Sequence, residues 1–154
     1  MPQSAAYTDI RASWRSVRTM QATIGVNMGP HLYSLIPNAT GFARLPESLL
    51  LVFAMAVLET TLLHLRDEGA FSCRRSELGA VMYASKECLA WQDFPGVDAI
   101  RAQRNQVAHE ARLLGAGECE AALDAIGREL LAWGVLEQDQ KVVVGVCGGL
   151  RHFF

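Results

Sequence analysis

The chain has 154 residues, 51% of them hydrophobic and 19% charged, which is enough apolar content for one core and too short for two of ordinary size. That composition excludes charge-driven disorder, and 14 Lys+Arg against 16 Asp+Glu, a net charge of -2, exclude a global basic field that gathers nucleic acid without local contacts. One domain over residues 1–154 is the expectation. Cys73, Cys88, Cys119 and Cys147 are widely spaced, with no C-x-x-C and no Cys/His alternation, so neither a metal site nor a cofactor is expected. Met1 to Asp9 has no apolar run behind a basic start, which makes the reducing cytoplasm the expected compartment. The most hydrophobic stretch, Leu49 to Leu58, is ten residues long, short of the roughly 18–20 of a bilayer span, and reads as a core helix with no membrane partner.

A first helix is predicted from Thr8 or Asp9 to about Ile24, stopped by Gly25, Gly29 and Pro30. Arg11, Arg15 and Arg18 share one face of it at i, i+4, i+7, a basic stripe that is either a solvated surface or an RNA track. Gly29 to Gly41 is dense in breakers and reads as a loop. Pro46 and Glu47 open the second and longest helix, and Gly69 closes it. A third starts at Ser76, carries Val81, Met82, Leu89 and Trp91, and ends before Phe94-Pro95-Gly96. The fourth runs from about Val97 to Leu114, and the fifth from Glu118 to Leu136 with Ala122, Ile126, Leu130 and Trp133 at helical spacing. From Lys141 the β-branched run Val142 to Cys147 reads as a strand or extended tail whose backbone needs a partner. The expected fold is an all-α antiparallel bundle of about five helices with a short β-prone C-terminal tail.

The fourth helix concentrates the chemistry. Arg101, Asn105, His109 and Arg112 lie broadly opposite Ile100, Val107, Ala111 and Leu114, with Arg104 at the border. Asn105 and His109 are i, i+4 neighbours, whereas Arg104 and His109 diverge by roughly 140° and could share one phosphate only if the guanidinium bends back. Histidine can take or give a proton near neutrality, arginine offers a permanent charge with a fork of donors matched to phosphate, and asparagine can orient either. Such a group suits phosphodiester cleavage that uses RNA's own 2′-hydroxyl. Glu59 is a further candidate, because Val52, Met55, Ala56, Leu62 and Leu63 surround it on the second helix and leave a carboxylate among apolar neighbours. It could orient Arg104 or His109, or form a purely structural ion pair.

The string Arg104-Asn105-Gln106-Val107-Ala108-His109 resembles the R-x4-6-H signature, with a polar residue after the arginine, of the HEPN superfamily (higher eukaryotes and prokaryotes nucleotide-binding). The resemblance spans about Pro46 to Leu136, including the long apolar helix before the motif and the helix after it. It implies a homodimer with two motif helices facing across a cleft, and metal-independent endoribonuclease activity that leaves a 2′,3′-cyclic phosphate. Arg104, His109 and Asn105 would be catalytic, with Arg101, Arg112 and Glu59 on the substrate side. RNA or a nucleotide is the implied ligand, and an antitoxin or other protein partner fits a toxin–antitoxin or defence setting. Other members only bind, so a non-catalytic nucleotide- or RNA-binding dimerisation module is the alternative. One toxin subgroup carries tyrosine two residues beyond the histidine, where this chain has Ala111.

Overall fold

The computed structural model describes residues 5–27, 44–115 and 117–139, and all five regular elements among them are helices. They are α1 (Ala5–Asn27), α2 (Arg44–Asp67), α3 (Leu78–Ser85), α4 (Phe94–Glu110) and α5 (Glu118–Ala132). The all-α bundle expected from the periodicity is therefore present. The Gly29 to Gly41 loop and the β-prone tail from Lys141 lie outside the described residues.

α2 is the hub, touching each of the other four helices. Its apolar residues are too numerous for one face, so Leu51, Ala54, Met55, Leu58 and Leu62 can be fully buried while neighbours pack on both sides. Burying each such leucine or methionine stabilises the fold by about 1.5–3 kcal/mol relative to exposure. By length and hydropathy α2 could cross a bilayer, but more than half of its most apolar window is buried inside the bundle. Tyr7, fully buried at the start of α1, donates its hydroxyl to Glu68 just past the end of α2 at 2.7 Å, which sets the two helices antiparallel. Burial, reinforced by that carboxylate, holds the Tyr7 phenol above its ordinary pKa.

The basic stripe on α1 is only partly a solvated face: Arg15 is exposed, Arg11 is partly buried and Arg18 is buried. Arg18 is 1% exposed, and its guanidinium pairs with Asp124 at 3.1 Å and closely with Asp139. Trp14 Nε1 donates to the same Asp139 at 3.0 Å, and the Arg18 guanidinium stacks 5.3 Å from the Trp14 ring. Burial alone would lower the Arg18 pKa, but the two carboxylates outweigh it and hold the group above its ordinary value. Arg11 Nε is likewise committed, donating to the Val135 carbonyl at 2.7 Å. These bonds strap the segment after α5 against α1, so Arg11 and Arg18 do not line an RNA track.

Several helix ends differ from the sequence expectation. α3 stops at Ser85, and Leu89 and Trp91 reach the core from the turns that follow it. Phe94-Pro95-Gly96 is the start of α4 rather than a break: proline is tolerated in a first turn, and the Asp93 side chain caps the helix by accepting from Gly96 N at 3.0 Å. α5 ends at Ala132, because Gly134 takes φ +71° and turns the chain, leaving Val135 and Leu136 buried outside the helix.

Candidate functional site

α4 is held at both ends by buried polar side chains from other helices. At its N-terminal end Glu129 of α5, fully buried, accepts from Gln92 N at 2.8 Å and Asp93 N at 2.7 Å. A buried carboxylate is costly unless its oxygens are satisfied, and two backbone donors satisfy this one. At the other end α4 does not continue to Leu114. Ala111 adopts the left-handed conformation, φ 52° and ψ 29°, which costs about 1–2 kcal/mol for a residue with a Cβ. What holds the turn is α2: the buried Ser48 hydroxyl accepts from Leu114 N at 2.9 Å, and Arg44 Nε donates to Leu114 O at 2.6 Å.

Between these anchors Arg104 occupies the core-facing line of α4, one turn beyond Ile100 and two beyond Val97, both buried. Its side chain is 22% exposed. Arg104 Nη2 lies 3.6 Å from Glu59 Oε2 on α2, and Nη1 donates to Asn105 Oδ1 at 3.1 Å. The Arg104 Nε is buried and has no hydrogen-bond acceptor among the described residues. The Glu59 contact is longer than the 2.7–2.9 Å of a strong charge-assisted bond, so it fixes the cation without consuming its donors. The structure thus brings Arg104, Asn105 and Glu59 together at the α2–α4 seam.

The remaining candidates lie elsewhere. His109 is exposed in the last turn of α4, on a different side of the helix from Arg104. Arg101 Nε donates to Asp98 at 2.8 Å, and its guanidinium crosses Gly79 on α3, where a Cβ would lie 3.4 Å from Nη1. Arg112 falls beyond the left-handed turn, exposed, with Nη1 on Gln106 Oε1 at 2.8 Å. Arg101, Asn105 and His109 thus keep the shared face of α4 that their spacing predicts, and only Arg112, beyond the helix end, falls off it. Among the described residues no group of three or more His, Cys, Asp and Glu comes together as a metal site would.

Ser48, Arg44 and Glu129 were not singled out by the sequence. Glu129 had a signal available, because it stands three residues after Ile126 on the apolar face of α5, the same pattern of a lone acid among hydrophobics that marks Glu59. Ser48 and Arg44 had none, since their partners are backbone groups 66 and 70 residues away. Compared with known proteins, the chain matches no family model, no curated protein and no solved structure.

Proposed function

We propose that the chain is a metal-independent endoribonuclease of HEPN type, acting on RNA through a cleft shared by two copies, in the setting of a toxin–antitoxin or defence system. The observation that supports this best is the placement of Arg104. A guanidinium on the core-facing line of its helix carries a desolvation cost that an apolar residue would avoid, and its pairing with Glu59 at 3.6 Å is too long for a hydrogen bond and leaves Nη2 as a donor for a phosphate. In the proposed reaction the 2′-hydroxyl attacks the adjacent phosphorus and the bond to the 5′-oxygen breaks. The products are a 2′,3′-cyclic phosphate and a 5′-hydroxyl end. His109 manages the proton that leaves the 2′-oxygen and the one the 5′-oxygen gains, Arg104 stabilises the charge on the phosphorane, and Asn105 orients Arg104. Arg101 and Arg112, already bonded to Asp98 and Gln106, are at most peripheral to substrate.

A second reading, a non-catalytic nucleotide- or RNA-binding module, is favoured by one specific fact: within one copy His109 stands apart from the Arg104–Glu59 pair. The two readings separate in one assay, cleavage of single-stranded RNA by purified protein in excess EDTA. Cyclic phosphate ends, and at least a hundredfold loss of rate in His109→Ala with an unchanged Tm, support the nuclease. A wild type that binds RNA without cutting it, and loses binding in Arg104→Ala, is the module instead. A nuclease activity that neither substitution changes is a contaminant and sinks the nuclease reading, and RNA binding that Arg104→Ala leaves intact sinks the module.

A further inference from the structure

α2 is more apolar than its packing requires. Leu45, Leu49, Phe53, Ala56 and Thr60 follow a 4, 4, 3, 4 spacing that confines them to an arc of about 80°, and all five are exposed. Leu45 is 53% exposed, Leu49 58% and Phe53 49%, and Met20 on the neighbouring α1 is 52% exposed. These four are all but one of the large hydrophobic residues exposed among the described ones. An apolar concentration of this kind on one face marks an interaction surface rather than ordinary surface scatter. The exposed side of α4, by contrast, carries Ala102, Ala108, His109 and Glu110 and offers no large apolar side chain.

We infer that this α1–α2 face binds the same face of a second copy of the chain. Three features select that occupant. The α2 stripe carries no charge from Leu49 to Thr60 except Glu59, which is turned to Arg104, so the two stripes meet without like-charge repulsion, and the charges of Asp9 and His64 lie to the α1 side of it. The face is also its own complement. Beside the protruding Phe53 lies a hollow of about 380 Å³, where the small side chains of Ala6, Ser13, Ala56 and Thr60 leave space between Asp9 and His64, and an isologous contact needs such a knob and hole on one surface. Finally, the four large side chains leave roughly 400 Å² of apolar area in water, about the apolar centre of a patch that for a stable dimer covers about 800 Å² per partner. A second copy seated here runs beside Val52 and Leu63, which flank Glu59 on α2, and so supplies a second wall next to Arg104. What that wall is for rests on the nuclease reading; the contact itself rests on the apolar face alone.

Sedimentation velocity between about 1 and 100 µM tests the contact. Wild type is expected to dimerise, and Phe53→Arg and Leu49→Glu to weaken the dimer at least tenfold. Thr60→Arg changes an exposed position with no core packing to lose, so it keeps the test valid if the other two variants fold poorly. A wild-type monomer at 100 µM, or a dimer that all three variants retain, overturns the inference. So does a monomer that floats with phosphatidylcholine–phosphatidylglycerol vesicles through Phe53, because the occupant is then a lipid surface. RNA cleavage measured on the same samples keeps the two claims apart. Cleavage that survives loss of the dimer removes the shared cleft and leaves the contact standing, whereas a dimer without cleavage removes only the nuclease.

Discussion

Arg104 reaches across from α4 to within 3.6 Å of Glu59 on α2, and it keeps its Nε buried without an acceptor among the described residues. A half-exposed pair at that distance contributes about 0–1 kcal/mol to stability, so its consequence lies in where it puts the guanidinium. Arg104→Ala is expected to weaken RNA affinity roughly tenfold through the lost phosphate contact, and Glu59→Gln roughly threefold through misplacement of Arg104. Because Glu59 acts through Arg104, the double variant should bind no more weakly than Arg104→Ala. Fluorescence anisotropy with a labelled single-stranded RNA measures all four proteins. Tighter binding by Glu59→Gln would mean that the carboxylate competes with phosphate, and additive losses would mean that the two residues act separately.

Arg18 is a stability residue. Truncating it to alanine removes the buried cation that bridges Asp139 and Asp124 and that stacks on Trp14. Removing one partner of a buried pair costs about 3–5 kcal/mol, which corresponds to roughly 10 °C in Tm for a chain of this size. Thermal melts by circular dichroism give the value. A loss under 1 kcal/mol would show that the strap from α1 to the segment after α5 does not hold the native state.

Arg18 and Glu59 also show what a sequence reveals and what it hides. Glu59 was legible, because a single acid among Met55, Leu62 and Leu63 breaks a helical apolar pattern and demands a partner. Arg18 was not, because its spacing with Arg11 and Arg15 repeats on one helical face whether that face meets water or two aspartates more than 100 residues away. Helix existence followed from periodicity throughout, while the ends followed from contacts the periodicity cannot carry. Alanine has no preference for the turn at Ala111; the turn is imposed by Ser48 and Arg44. Arg104 read as a border residue for the same reason. Only the packing of α4 on α2 turns that position inward.

Cys119 and Cys88 should differ sharply as nucleophiles. Cys119 is buried, its thiol facing the Glu47 carbonyl oxygen at 3.4 Å, and burial together with the negative charge of Glu47 pushes its pKa up to about 12. At pH 8 that leaves roughly one part in ten thousand as thiolate, and the thiolate is the reactive form. Cys88 is exposed. Iodoacetamide at pH 8, followed by peptide mass analysis, is expected to modify Cys88 at least a hundredfold faster in the native protein, with the difference abolished in 6 M guanidinium. Comparable native rates would place Cys119 outside the core.

Glu47 carries a pH dependence whose sign is opposite to that of an ordinary paired carboxylate. It stands in the first turn of α2, partly buried, and burial raises its pKa above the usual 4.5. A carboxyl whose pKa is higher in the folded state binds its proton more tightly there. Its contribution to stability is therefore present below the unfolded value and is lost as the pH rises through the folded one. At pH 7 the ionised side chain bears an uncompensated desolvation cost that the neutral amide of Glu47→Gln avoids. The variant is expected to melt up to roughly 2 °C higher than wild type at pH 7, the gap closing below about pH 4, where the wild-type carboxyl is protonated and nearly isosteric with the amide. Melting curves of both proteins from pH 3.5 to 7.5 read the difference. A variant that is less stable at pH 7 would show that the positive end of the α2 dipole outweighs the burial of Glu47.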